Sequence, residues 1–380
     1  MGARRRRHRF SRIARNVASL VDPVRPEYGG ACISNLVRGL RARADWIPAA
    51  AREASSVVLL VLDGLGWNTI EQRRASLSTL GAMDGGAITS VLPSTTPTAL
   101  TSISTGLAPA QHGVVAYRIY IGTGVLNVIR WTMHGGGKGP DPLEFQPREA
   151  FDGEPVPVVT RAQFEGTGFT SILYRGSTLH GYFSTSGLAA HCRRLIDSGE
   201  RLVYAYYDGP DLVAHMHGMR DEFFAREVAF CDEMVADLAS LLPASTAIVV
   251  TADHGHIQFT ERIELGAVSS MLVTQAGESR FRYLHAKKGA AADLLAASQE
   301  SFSSHSWIFT RDQLIDEGLF GPAPPSPEVR RRIGDVVLAA REPVGYVDPD
   351  NPGENKLLSG HGSLAPDEML VPLLATHGAR

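Results

Sequence analysis

The run Val57-Val58-Leu59-Leu60-Val61-Leu62, ended by Asp63-Gly64, limits the fold more than any other stretch. An unbroken, β-rich apolar run describes a strand buried on both faces, and such strands belong to parallel sheets covered by helices. An acid at the carboxyl end of that strand stands where open α/β sheets collect their ligands. Further on, Leu92 to Leu107 is rich in hydroxyls and then turns apolar. It reads as a strand end, a loop and a helix whose first turn holds Thr95, Thr96 and Pro97. Proline is tolerated there because its missing N–H would be unpaired anyway. A hydroxyl at that point faces free backbone N–H groups and the positive helix end, a setting suited to phosphate. Both residues also have plainer readings, Asp63-Gly64 as a turn and Thr96 as a helix cap.

The remaining periodicity alternates between strand and helix. Ala87–Leu92, Phe169–Tyr174, Arg201–Tyr207 and Ala247–Thr251 read as strands, and Ile33–Arg43 and Leu188–Ser198 as helices. Phe224, Val228, Cys231, Val235, Leu238 and Leu242 recur at spacings of four and three, one face of a helix laid on a sheet. Val114–Tyr120 and Val125–Trp131 flank Gly122-Thr123-Gly124, a hairpin signal. The loop His134 to Pro140 is glycine-rich but lacks the phosphate-loop spacing. The expected fold class is therefore α/β, a three-layer sandwich with a mostly parallel central sheet and helices on both faces. Residues 1–54 read as a basic arm and lead-in, and residues 55–380 as one catalytic domain with small cap insertions near 115–165 and 262–350.

Three more clusters carry chemistry. Asp208-Gly209-Pro210-Asp211 follows a strand, with His215 four residues beyond Asp211, on the same face of a helix. Asp253-His254-Gly255 ends another strand, and His361-Gly362 precedes the apolar stretch Leu370-Val371-Pro372-Leu373. His217 and His256 flank these motifs. Any one of these histidines alone is more often structural than a ligand, but acids and imidazoles gathered at several strand ends suit a metal site.

In their order and spacing these motifs resemble the alkaline-phosphatase superfamily, and within it the type I phosphodiesterase/nucleotide pyrophosphatase family. That family has a metal-binding Asp after the first strand and a nucleophilic Thr nine residues before Thr-Gly-Leu, which lands on Thr96 counted back from Thr105. His112-Gly113, Pro210-Asp211 with His215 and Gly218, Asp253-His254-Gly255 and the closing His361-Gly362 also match. The resemblance implies two divalent metal ions, zinc first, with manganese or iron as alternatives. It implies Asp211, His215 and His361 around one ion, and Asp63, Asp253, His254 and Thr96 around the other. It further implies hydrolysis of a phosphodiester or nucleotide pyrophosphate through a phospho-threonine at Thr96.

The chain departs from the family pattern after His112-Gly113. Tyr117 stands near a phosphate-binding Asn of many members, and Asn127 and Arg130 lie downstream as candidate substitutes, so Tyr117, Asn127 and Arg130 are the expected substrate-binding residues. The Gly360–Met369 region also looks like that of superfamily phosphomutases, which use serine; Thr96 favours the diesterase branch. No Cys or Ser-x-Pro-x-Arg signature surrounds Thr96, which argues against a sulfatase. The alternatives are a phosphomonoesterase or phosphonate hydrolase on the same scaffold, or a metal-binding homologue without turnover.

A formal net charge of −3 gives no reason to expect a stable nucleic-acid partner. Three widely spaced cysteines make no disulfide framework and favour a reducing compartment. Arg4 to Arg7 is followed by no signal-like apolar segment, and nothing reaches the length of a membrane span, so a cytoplasmic protein is expected. The Arg-rich, acid-free start also fits an organelle presequence, although a solvated arm is the simpler reading. Arginine far outnumbers lysine, which occurs only at positions 138, 287, 288 and 356 and suggests a bacterial genome.

Overall fold

The strand Ser56–Leu62 lies in the middle of a seven-stranded sheet, and Val58 to Leu62 are fully buried along its whole length. Because successive side chains point to opposite faces, this burial means that both faces are covered. A computed structural model describes residues 22–380, so the Arg4–Arg7 run lies outside the described residues. The strand order is Asp84–Thr89, Leu370–His377, Thr246–Thr251, Ser56–Leu62, Leu202–Tyr207, Val158–Arg161, Leu179–Tyr182. Only Leu370–His377 runs against its neighbours. The expected α/β sandwich is the fold observed. Helix Glu222–Leu241 packs as its periodicity predicts, with Phe224, Val228, Cys231, Val235 and Leu238 fully buried, and the Asp221 side chain accepts from Phe223 N at its start. Among the described residues no helix is long and apolar enough to cross a membrane.

Three expectations change. Phe169–Tyr174 is not a strand but part of helix Gly168–Leu173, whose cap Thr167 accepts from Thr170 N at 3.1 Å. A short apolar run carries no periodicity of its own, and a capping threonine decides it. Residues 31–54, read as a lead-in, belong to the core: Ile33 and Leu36 are fully buried, and Cys32 pairs with Thr89 at the sheet edge. The cap segments are also more than small insertions. Strands Ser306–Thr310, Val336–Ala340, Phe281–Ala286, Leu272–Glu278, Arg118–Tyr120, Val125–Asn127 and Thr132–Met133 form a second, antiparallel seven-stranded sheet. The hairpin tip between Leu272–Glu278 and Phe281–Ala286 reaches the carboxyl edge of the first sheet.

That tip is locked by a buried ion pair. Arg280 Nε and Nη2 donate to the two oxygens of Glu368 at 2.7 and 2.9 Å, both side chains fully buried. Glu368 also accepts from Ser363 N, and the remaining Arg280 donors go to the carbonyls of Ala340, Glu342 and Val344. Breaking such a pair from one side strands a desolvated charge. Glu368→Ala is therefore expected to cost about 3–5 kcal/mol, whereas Arg280→Met/Glu368→Leu together should cost less. Urea unfolding of the three proteins checks the order.

Candidate active site

The chemistry-bearing residues converge because of where the strands end. Asp63 follows Leu62, Asp253 and His254 follow Thr251 through one intervening residue, and the helix Gly209–His217 starts just past Tyr207. In the paired register Leu62 faces Tyr207 and Val61 faces Thr251, so all three exits lie at one edge. The antiparallel strand Leu370–His377 begins at that same edge, which brings His361 there from the opposite chain direction. Asp211 N donates to Asp63 O at 3.0 Å, tying the helix start to the first strand. Gly64 has φ +73°, and a Cβ there would lie 2.7 Å from His256 Nε2. Only glycine lets that ring and Asp211 close over the turn.

Thr96 is the first residue of helix Thr96–Thr105 and is 8% exposed. Its Oγ1 lies 3.1 Å from His254 Nε2, which is also 3.4 Å from Asp63 Oδ1 and 3.3 Å from Asp253 Oδ2. Asp211 Oδ1 lies 3.3 Å from His215 Nε2, 2.9 Å from His256 Nε2 and 3.7 Å from His361 Nε2. Ligands about 2.0–2.1 Å from a tetrahedral ion are separated by about 3.3 Å, and the distances to His254 Nε2 and to Asp211 Oδ1, 2.9–3.7 Å, bracket that value. The ring nitrogens facing away are fixed: His254 Nδ1 on Gly255 O, His361 Nδ1 on Ser94 O and His215 Nδ1 on Ser359 O, at 3.0, 3.0 and 2.9 Å. This is how metal-binding imidazoles are normally oriented. Asp63 Oδ1 and Asp253 Oδ2 are buried without a hydrogen-bond partner. The donor set therefore fits two divalent cations.

The electrostatics agree. Burial, and then the charges of Asp253 and Asp211, hold Asp63 well above the usual carboxylate range, and burial raises Asp253. Burial also lowers His254 and His361, favouring the neutral imidazoles that ligate metals. Asp211 goes the other way: burial would raise it, but His215 and His256 outweigh that and hold it well below the usual range.

A cavity of about 440 Å³ opens over Thr96 and His361. A larger hollow of about 640 Å³ lies at the opposite end of the strands, beside Ser56 and Leu202, but among the described residues no metal-ligating cluster lies there. A model of the type I phosphodiesterase / nucleotide pyrophosphatase family matches residues 57–364, a span containing every residue of both centres. The chain belongs to this family. It is thus a hydrolase acting on phosphoric ester bonds. No curated protein matches it in sequence. Its fold is similar to that of murine ectonucleotide pyrophosphatase / phosphodiesterase 5 (TM-score 0.64, 16% identity, covering 85% of this chain and 88% of that one). It is also similar to phosphonoacetate hydrolase from Sinorhizobium meliloti 1021 in complex with phosphonoacetate (TM-score 0.60, 17% identity, covering 85% and 90%).

In this phosphodiesterase-family chain the departures from the pattern fall on the cavity wall. Tyr117 and Arg130 line it, together with Ile129, Leu212 and Leu357. Asn127 stands behind: its Nδ2 donates to the Tyr117 hydroxyl at 2.7 Å and its Oδ1 accepts from Arg130 N. His217 turns away and stacks on Phe223. His112 braces its own turn, with Nδ1 accepting from Val114 N at 3.1 Å, and burial pushes it down to about 3, so it stays neutral.

Sequence reasoning missed Glu278. This residue ends the strand Leu272–Glu278 and lines the cavity beside Thr95; its Oε2 accepts from Tyr117 N at 3.0 Å. Gly362, at φ +121°, makes room for it, since a Cβ there would lie 2.6 Å from Glu278 Cγ. Burial pushes Glu278 up to about 8. The folded protein then holds a proton that the unfolded chain releases near its ordinary value. The cost of that burial grows as pH rises from about 4.5 towards 8. Glu278→Gln is expected to be as stable as wild type near pH 5 and more stable near pH 8.5, measured by urea midpoints at both values.

Proposed function

We propose that this family member hydrolyses phosphodiester or nucleotide pyrophosphate bonds in two steps through a phospho-threonine at Thr96. The observation that carries the reading is the Thr96 hydroxyl, held at a helix start 3.1 Å from His254 Nε2 and among the two unpartnered carboxylate oxygens of Asp63 and Asp253. Asp63, Asp253, His254 and Thr96 would hold one divalent ion, and Asp211, His215 and His361 the other. Nitrogen and carboxylate donors without thiolate suit zinc. Such ions neutralise phosphoryl charge and make a neutral-pH hydroxyl nucleophilic. Thr96 Oγ1 forms a bond to phosphorus as the bond to the leaving oxygen breaks in line, and the threonine proton passes to solvent while the departing oxygen takes one up to leave as an alcohol or phosphate. Water then attacks the phospho-threonine, returning the hydroxyl and releasing the phosphorylated product.

The chain supplies orientation as well as donors. Thr96 opens the helix Thr96–Thr105, whose positive end favours an anionic phosphoryl group beside its hydroxyl. Arg130 is the cavity's lysine or arginine, set against Asp211 and Glu354 beside a protonated Glu278, and the mouth carries the half-exposed apolar side chains Ile129 and Leu212. This balance supports a substrate with one anionic phosphoryl group and an apolar or aromatic substituent. It gives less support to a phosphonate with a second acid. Residues 55–380, with the packed segment 31–54, are read as one catalytic domain. A cytoplasmic location is the reading consistent with three buried free cysteines.

Turnover of bis-p-nitrophenyl phosphate, p-nitrophenyl phosphate and a dinucleotide pyrophosphate at equal concentration tests the reading. The diester or the pyrophosphate is expected to give kcat/KM at least about tenfold above the monoester, a difference of about 1.4 kcal/mol in transition-state binding. A preference for the monoester would replace this reading with that of a phosphatase.

A further inference from the structure

We infer that His256 is a metal ligand, a third histidine for the ion at Asp211, which makes the two metal centres unequal. The inference rests on the two-metal reading above and concerns a residue that reading does not use. His256 is 1% exposed, and its Nε2 is the imidazole nitrogen nearest Asp211 Oδ1, at 2.9 Å, compared with 3.3 Å for His215 and 3.7 Å for His361. Ligand atoms of Asp211, His256 and His361, and of His254 at the neighbouring centre, all lie within 4.8 Å of one another. The ring is fixed from behind, with Ser359 Oγ 3.2 Å from its Nδ1, as expected for an oriented metal-binding imidazole. The chain also makes room for it: Gly64 is the residue whose Cβ would collide with His256 Nε2. Packing alone does not require a ring nitrogen at that point.

With His256 included, the Asp211 ion would have four side-chain donors: Asp211, His256 and His361, whose ligand atoms lie within 4.8 Å of one another, and His215, 3.3 Å from Asp211 Oδ1. Four protein donors are the mark of a closed zinc site, whereas three plus an exchangeable position mark an open one. The other centre has only three carboxylate or imidazole donors, Asp63, Asp253 and His254; its fourth position falls to the neutral Thr96 hydroxyl, a far weaker donor. One ion is then held tightly, and the other exchanges.

The test uses the full chain loaded with cobalt(II), followed by metal analysis and visible absorption during dialysis against a graded chelator series. Wild type is expected to lose one ion per chain first and to retain the second to chelator concentrations at least 100-fold higher. His256→Ala and His256→Gln should bring the second loss down by 100-fold or more and shift the absorption bands of the retained ion. Both variants should keep the wild-type circular dichroism. Glutamine can still donate to Asp211, so it separates the two roles. If His256→Gln keeps the tight ion and its bands, His256 only positions Asp211 and the inference falls while the two-metal reading stands. A wild type that loses both ions together also overturns the inequality. A wild type that binds no ion overturns both readings.

Discussion

Thr96→Ala is expected to leave a folded, metal-loading protein with almost no turnover. The alanine keeps the helix start and removes the one hydroxyl that sits 3.1 Å from His254 Nε2. Losing the nucleophile of a two-step mechanism costs about 10³-fold or more in kcat, with residual hydrolysis by water sustained by the rest of the site. Thr96→Ser should retain partial activity, because the oxygen survives while the methyl that restricts its rotamer is lost. Thr95 is the competitor to exclude. It precedes the helix in extended backbone, and its side chain lies beside Glu278, whereas the Thr96 hydroxyl lies beside His254. Thr95→Ala should therefore be mildly impaired. Acid quench during turnover, followed by peptide mass spectrometry, should place the phosphate on Thr96. Phosphate on Thr95, with an active Thr96→Ala, would show that the assignment is off by one residue.

Removing metal should be nearly as damaging, and it should affect stability in a way that reveals the cause. Wild type is expected to carry two divalent ions per chain and to lose activity on chelation. Asp63 and Asp253 are buried, mutually repelling acids with oxygens that lack partners. Without cations they oppose folding at neutral pH. Asp253→Asn removes one charge, while its remaining carbonyl can still accept from Gly64 N and His254 N, which now bond to Asp253 Oδ1 at 3.1 and 3.0 Å. The metal-free variant should therefore melt above metal-free wild type. Saturating metal should reverse the order, because binding at about 100 times Kd adds about 2.7 kcal/mol to a native state that holds the ion well. Calorimetry of both proteins, with and without chelator, measures all four values. An unchanged order would mean that Asp253 does not face a cation.

What could be read from the sequence followed from buried strands. Val57–Leu62 is a continuous apolar run and Ala247–Thr251 nearly so, and the acids Asp63 and Asp253 are visible as the first charged residues after them. The structure brings these together with Thr96, Asp211, His215, His254 and His361 at one edge. The second sheet was harder to see. Its strands are short or amphipathic, come from two distant segments, and join through a single pairing of Gly277 with Arg118. Glu278 belongs to that sheet, so no motif announced it. Asn127 was expected on the cavity wall, but its position behind Tyr117 depends on the tight turn to Arg130, which hairpin spacing alone does not specify. His256 flanks the Asp-His-Gly motif in sequence, yet its approach to Asp211 depends on the fold bringing two strand exits together.

The lone reversed strand, Leu370–His377, has a consequence for biosynthesis. It lies between Asp84–Thr89 and Thr246–Thr251, so an early strand waits for a late one before it joins the sheet. A nascent chain that has reached only the Asp-His-Gly motif has made Thr96, Asp211 and His254 but still lacks His361 and the strand that seats the sheet edge. Contacts so far apart in sequence slow folding and leave a partly made sheet open to wrong pairings. A ribosome that stops short of Leu370 therefore releases a product for the chaperones or proteases rather than a weaker enzyme, and catalysis begins only after the closing strand has emerged.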